Sequence, residues 1–284
     1  MRNFSTGVHA RLKLLHFWLT GRNVRQRVGL VELFRNMMIP RCENVAPRYA
    51  QFKDEDDEFT YYAIKGFNNL FSYSKESSYH SLAQVISEGM LNYHWHHYEI
   101  AQTDVQDGDV VVDCGSSEGF FAFKHVGHCK HIYCIEPLPV FVRALHKLYD
   151  HLNNVTVIPA ALSDAMGHLY LSPASISSAC RQACINENDI RVPAVTLDSL
   201  FAEKLIHVDY LKADLEGFEE TMIKGALKTI RMSRPKIVLT TYHEGQNFRR
   251  LIDLVQSAVP EYRYRLRGIE EVAGNPVLLH MWCK

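Results

Sequence analysis

The stretch Val110-Val111-Val112-Asp113-Cys114-Gly115-Ser116-Ser117-Glu118-Gly119-Phe120-Phe121 constrains the fold more than any other in the chain. An apolar run ends in an acid, a short glycine-bounded segment follows, and apolar residues resume: strand, tight turn, helix start. In open α/β sheets this turn is where a nucleotide cofactor binds. A second apolar run, His131-Ile132-Tyr133-Cys134-Ile135-Glu136, closes on another acid. That acid lies about 20 residues beyond the turn, the place of the ribose-binding carboxylate in a βαβ unit. Together the two corners predict a cofactor that carries a ribose.

What the turn lacks narrows the choice. Dinucleotide loops place a glycine at an intermediate position so that backbone can approach a pyrophosphate; here Ser117 stands there. Asp113 and Glu118 would repel a diphosphate and attract a ligand with an ammonium or sulfonium. S-adenosylmethionine has both cations and no phosphate. A nicotinamide-dependent oxidoreductase using the same crevice is the alternative, and Ser117 counts against it.

From residue 109 onward, short apolar runs alternate with helical patterns, as in parallel sheets buried on both faces. Strands are expected at 109–113, 131–135, 155–159, 168–172, 191–196, 208–213, 236–241, 261–267 and 276–283. Helices are expected at 118–127, 138–152, 197–204, 217–231 and 247–258. Right-handed crossovers assemble such units into a doubly wound α/β sheet.

The series DCGSSEGFFAF (113–123), IYCIEPLP (132–139), IPAALSD (158–164), VPAVTLDSL (192–200), VDYLKADLEGFEETMIKGA (208–226) and RPKIVLTTYH (234–243) resembles the FkbM family of S-adenosylmethionine-dependent O-methyltransferases, in register from about Tyr98 to the C-terminus. Lys212-x-Asp214-x-Glu216-Gly217-x-Glu219 after Thr196-Leu197-Asp198 is far more specific than the glycine-rich turn. The resemblance implies a seven-stranded, Rossmann-like class I methyltransferase sheet, with the last strand inserted antiparallel beside the other edge strand. It divides the chain into an N-terminal helical and lid-like extension, 1–92, and a methyltransferase domain, 93–284.

It also implies roles. Asp113 and Gly115, with Ser116 and Ser117 in the same turn, would hold the methionine end of the cofactor, and Gly119 would admit close packing. Glu136 would take the ribose hydroxyls; Pro137, Leu138 and Ala161-Leu162-Ser163 would frame the adenine; Glu99 would meet the amino group. Glu216, Tyr242 and His97 are expected to face the acceptor. If the acceptor is an alcohol, a base is needed, and Asp214 and His243 are the candidates, since an imidazole near its ordinary pKa of about 6.5 suits proton transfer at neutral pH. Many family members end this strand with Glu-x-His, whereas Thr241-Tyr242-His243 stands here, so a carboxylate role at 241 is absent. The expected reaction is O-methylation of a saccharide or secondary metabolite in natural-product biosynthesis, giving S-adenosylhomocysteine. N- or carboxylate methylation and an inactive binding scaffold are the alternatives.

Net charge of −1 gives no general basis for nucleic-acid binding, and 47% hydrophobic with 22% charged residues is ordinary for a globular protein. Seven scattered cysteines do not form a disulfide framework, and Cys114 and Cys134 fall in buried strands; a reducing, cytoplasmic setting is expected. The acceptor is expected to be a small molecule or glycan, with no transmembrane segment, and a homodimer is compatible with the chain. The apolar run near Leu14–Leu19 is too short for a signal peptide and is followed by Arg22, Arg25 and Arg27. Two helices, 8–20 and 23–38, are expected instead, with Pro40 ending the second. Asp54–Glu58 reads as a solvated loop and Phe59–Ile64 as strand-like. Phe67, Phe71, Tyr73 and Tyr79 are candidates for a lid or substrate wall, core packing being the commoner role. His94-Trp95-His96-His97 lacks zinc-site spacing, Cys180 and Cys184 read as packing residues in a Ser-rich insert (173–190), and Asp214, Glu216 and His243 carry hard donors without fixed spacing, so no metal is expected.

Overall fold

The computed structural model describes residues 8–21, 24–172, 180–181, 187–243 and 245–283. Most of the Ser-rich insert, with Cys184, lies outside the described residues. Helices α1 (Val8–Thr20), α2 (Val24–Arg27), α3 (Leu30–Met37) and α4 (Cys42–Val45) open the chain. The single helix expected over 23–38 is interrupted, because Gly29 takes an extended conformation (φ −71°, ψ 157°) just ahead of α3.

Strands β1 (Ala50–Glu55), β2 (Phe59–Ile64) and β3 (Leu70–Ser74) form an antiparallel meander. The acidic run expected as a loop therefore gives Asp54 and Glu55 to an edge strand whose side chains face solvent. Next comes α5 (Tyr79–Met90), absent from the sequence expectations, capped by Ser78 Oγ accepting from Ser81 N at 3.1 Å. Its apolar stripe, Leu82, Ala83 and Ile86, is buried. Phe71 packs edge-on against Phe120 and Phe123, with ring centroids 5.2 and 5.3 Å apart, and Tyr73 is buried. These two aromatics are core rather than lid.

The main sheet begins with β4 (Val110–Cys114), α6 (Phe120–His125), β5 (His131–Ile135), α7 (Pro139–Tyr149) and β6 (Val155–Ile158). Then β7 (Ala161–Leu162), β8 (Gly167–Leu171), β9 (Cys180–Arg181) and β10 (Ile190–Val195) pair in a separate four-stranded sheet, so the strands expected at 168–172 and 191–196 leave the main one. A π-helical turn, Asp198–Ala202, leads to β11 (Tyr210–Ala213), α8 (Glu219–Lys224), α9 (Leu227–Ser233), β12 (Lys236–Thr240), α10 (Phe248–Ala258), β13 (Arg263–Arg267) and β14 (Leu278–Trp282).

The main sheet has seven strands in the order β13-β14-β12-β11-β4-β5-β6. β14 runs antiparallel to both neighbours, and the pairings from β12 to β6 are parallel. This is the doubly wound sheet the sequence predicts. Strand order reverses at β4, between β11 and β5, so the ligand crevice lies beyond the carboxyl ends of β4 and β11. Both sides of the sheet are covered: Val111 and Ile132 share one core with Leu33, Ile64, Phe71 and Leu82 of the N-terminal elements, while Val112, Leu211 and Ile237 pack with Met222 and Val255 on the other face. Cys114 and Cys134 are fully buried, as expected. No helix among the described residues is long and apolar enough to cross a membrane.

Candidate functional site

The turn after β4 is shaped by contact with the neighbouring strand. A Cβ on Gly115 (φ +72°) would lie 2.0 Å from the Asp214 carbonyl oxygen, so only glycine lets β4 and β11 approach this closely. Ser117 also has a positive φ, +46°, which turns its N–H toward the end of β5. There Glu136 Oε2 accepts from Ser117 N at 3.0 Å and Oε1 from Leu138 N at 2.9 Å. Burial pushes the Glu136 carboxyl up to about 7 in spite of these two donors. Gly119 (φ +80°) heads α6, and a Cβ there would meet Leu145 Cδ2 at 2.8 Å, so its part is packing.

Two cavities of about 70 Å³ each open at this turn. The first is lined by Glu136, Pro137, Leu138, Ala161 and Leu162, all expected around the adenosine, by Gly115 and Ser117, expected at the methionine end, and by Glu216, expected to face the acceptor. Ser163 lies beyond its wall, with its N–H donating to Val195 O at 2.9 Å. The second is lined by Ser116, Ser117, Glu118, Lys212, Tyr242, His97 and, from α5, Glu88. Gly115, Ser117 and Asp214 border both.

Asp113 and Glu99 line neither cavity. Asp113 is fully buried with its Oδ1 at 2.9 Å from Lys212 Nζ, which also donates to Gly115 O at 2.8 Å. Burial disfavours the Lys212 ammonium, but Asp113 outweighs it and the pKa is raised. Register explains the pair, since Lys212 sits directly opposite Asp113 on adjacent parallel strands. Glu99 faces Lys124 at 2.8 Å and His125 at 3.3 Å. The acid at the methionine-end cavity is instead Glu118, whose carboxyl burial raises to about 7, with Tyr73 Oη 3.5 Å from Oε1.

Asp214 gathers the remaining chemistry. Its Oδ2 accepts from Tyr98 Oη at 2.8 Å, and Thr240 Oγ1 lies 3.3 Å from its Oδ1. His243 lies with Nε2 3.1 Å from Asp214 Oδ1 and Nδ1 3.2 Å from Glu216 Oε2. Burial opposes the imidazolium, yet the two carboxylates prevail and raise His243 to about 10. The sequence expectation of an imidazole near its ordinary pKa is thereby corrected: at neutral pH this ring is already protonated. Burial likewise opposes the Asp214 charge, and His243 holds it well below the usual carboxylate range. Behind it, Glu219 accepts from Leu215 N at 2.7 Å and Thr240 Oγ1 at 2.8 Å, fixing the loop after β11. His96 Nε2 reaches Tyr242 Oη at 3.0 Å, and its Nδ1 lies 3.2 Å from Glu88. His97 is buried and pushed down to about 4, chiefly by burial.

Sequence reasoning missed Glu88, His96 and Tyr98 as site residues. Tyr98 stood beside the motif acid Glu99 and Lys212 inside the conspicuous motif, but nothing in sequence tied Glu88 to a site on the other side of the sheet's turn.

The donor set suits S-adenosylmethionine on three grounds. Glu136 is clamped by two backbone N–H groups, so its free lone pairs suit a pair of hydroxyls. The Gly115 cradle joins the two cavities at a point where no side chain fits. Buried Glu118 and Asp214 suit an ammonium and a sulfonium.

The FkbM methyltransferase domain model matches residues 113–266. No curated protein matches the chain. Among solved structures, a methyltransferase FkbM from Methylobacillus flagellatus KT is 20% identical over 71% of this chain (TM-score 0.49). The match covers 54% of that protein, so the chain spans about half its length. An rRNA methylase from Streptococcus thermophilus is 13% identical, over 63% of this chain and 89% of its own (TM-score 0.41). Aeropyrum pernix fibrillarin with natively bound S-adenosyl-L-methionine is 11% identical, over 82% and 97% (TM-score 0.40). With the domain model covering more than half of its length, the chain belongs to the FkbM methyltransferase family, and its cofactor is S-adenosylmethionine.

Proposed function

We propose that this chain O-methylates a hydroxyl of a saccharide or secondary metabolite. The observation that supports the reading is the array Asp214–His243–Glu216, with His243 3.1 and 3.2 Å from the two carboxylates and Asp214 bordering both cavities. When bound, S-adenosylmethionine supplies a methyl carbon activated by a sulfonium that leaves as a neutral thioether. The chain must add alignment, exclusion of water and a destination for the hydroxyl proton. Two carboxylates and one imidazolium carry a net charge of −1, so the array accepts one more proton as the O–C bond forms. Asp214 receives it; Tyr98 and His243 position Asp214 and keep its oxygens aimed. His243 thus acts as a held cation rather than as a free base.

An alcohol acceptor requires this array and a carboxylate acceptor does not. Transfer of labelled methyl to a panel of hydroxylated sugars and phenols, with the product mapped by mass spectrometry, tests the reading. Asp214→Asn should lower kcat by about 10²–10⁴ at saturating S-adenosylmethionine, a loss beyond any weakening of cofactor binding, which titration with S-adenosylhomocysteine reads separately because Asp214 borders both cavities. Full turnover in Asp214→Asn, or methyl groups found on nitrogen or carboxyl oxygen, would overturn it.

A further inference from the structure

A cavity that adjoins the site lies wholly outside residues 113–266, the part matched by the family domain. About 360 Å³ in volume, it lies among α1, α3, α4, α5 and the 94–96 segment. Ala10, Leu14, Met37, Ile39, Pro40 and Trp95 give it apolar walls. It shares Gln84, Glu88 and His96 with the methionine-end cavity, and His96 is 3.7 Å from Asp214. Adenosine cavity, methionine cavity and this third space therefore lie side by side, each sharing wall residues with the next.

Charge distinguishes the far end. Glu43 is held by His80 at 2.6 Å and Glu88 by His96 at 3.2 Å, and Glu271, also on the wall, has an interaction of its own. Arg11 and Arg41 are different. Neither is ion-paired to a described residue, and Arg11 Nε is buried without a hydrogen-bond partner. A desolvated guanidinium donor left unmatched is unfavourable, and its planar fork matches an oxyanion.

We propose that this cavity is the acceptor site, and that it takes a small amphipathic oxyanion: a hydroxylated molecule with an apolar body and a carboxylate or phosphate held by Arg11 and Arg41. The hydroxyl then passes Glu88 and His96 toward Asp214. The volume is at the lower end of small-molecule sites and too small for a macromolecule. Specificity thus lies mainly in α1, α3, α4, α5 and the 94–96 segment, outside the part of the chain that the family model matches. The inference rests on the hydroxyl reading of Asp214, but the two fail separately: that one on the turnover of Asp214→Asn, this one on binding.

Binding of 4-hydroxyphenylacetate, its neutral amide and phenyl phosphate to the S-adenosylhomocysteine-loaded protein, followed by ligand-detected NMR at millimolar concentration, provides the test. At least one anion should bind about tenfold or more tighter than the amide, and the stronger of the two identifies the oxyanion. Arg11→Gln with Arg41→Gln should erase the difference and Arg11→Lys with Arg41→Lys should keep part of it. All variants should bind S-adenosylhomocysteine normally, since neither arginine lines its cavities. Equal binding of acids and amide, no binding of any probe, or a preference that survives loss of both arginines would overturn the proposal.

Discussion

Glu136 and Glu118 are carboxyls that burial has brought to about 7, so each is only partly ionised near neutral pH. Ribose hydroxyls donating to Glu136, and a cationic amino group beside Glu118, both favour the ionised form. Binding S-adenosylmethionine should therefore release protons near pH 7. Calorimetry in buffers of different ionisation enthalpy reads this directly, and Glu118→Gln should reduce the release while leaving part of it with Glu136. Heats that do not vary with buffer would contradict the assignment of both residues. The sequence made the strand-end positions of Glu136 and Asp113 legible, because strand length and spacing fix where each strand ends, and the family resemblance marked Glu99 ahead of the first strand. It did not make their partners legible. Asp113 meets Lys212, and Glu99 meets Lys124 and His125, through strand register and helix packing that no local pattern encodes. A buried acid with a lysine already attached is spent on structure, and the acid next in the turn, Glu118, lines the cavity instead, buried but without a cationic partner among the described residues.

At the scale of elements, the parallel strands were readable because both faces are buried and the runs are continuously apolar. The breaks between elements were less so. The helix expected over 217–231 divides at Gly225, which has φ −82°, a value open to any residue. Space decides instead, since a Cβ there would lie 2.1 Å from Ser163 O, a backbone atom that cannot rotate away. Nothing in the sequence near Gly225 announces that the β7 segment passes so close. Gly225→Ala should destabilise the protein by about 1–3 kcal/mol, the usual range for overpacking. Because Ala161 and Leu162 border the adenosine cavity just upstream of Ser163, affinity for S-adenosylhomocysteine should fall with stability. An unchanged urea midpoint in Gly225→Ala would show that the two backbones part without cost. The small β7-β10-β8-β9 sheet was hidden for a related reason: its strands have ordinary β patterns, and only tertiary pairing separates them from the main sheet.

Across the whole molecule, the N-terminal elements and the sheet are tied together by a buried arginine and by two buried histidines that must stay neutral. Arg267 on β13 donates to the carbonyls of His97 and Asn92 at 2.9 Å each, anchoring the segment that carries His96 and Tyr98 into the site. Beside it, His280 on β14 is fully buried with Nδ1 2.7 Å from Thr103 Oγ1, and burial, reinforced by Arg267 and Arg265, pushes its pKa well below the ordinary value. His97 is pushed down to about 4, first by burial and then by Lys124. A histidine with a lowered folded pKa binds fewer protons folded than unfolded once the pH drops below about 6.5, so stability is intact above that value and is lost as pH falls. Each such group steepens the loss by up to about 1.4 kcal/mol per pH unit. His243 works in the opposite sense: raised to about 10, its contribution is full below about 6.5 and fades as pH rises toward 10. The raised carboxyls of Glu118 and Glu136 gain stability over the same fall in pH, so the histidine contribution is read as a difference: from pH 7 to pH 5 the urea midpoint of His97→Gln should rise relative to the wild type, and His243→Gln should lose most of its deficit above pH 10, the value to which the ring is raised. A His97→Gln midpoint that keeps a constant offset from the wild type from pH 7 to pH 5, over the range in which His97 is held neutral, would mean that the joint between the N-terminal elements and the sheet opens to water and protonates without unfolding.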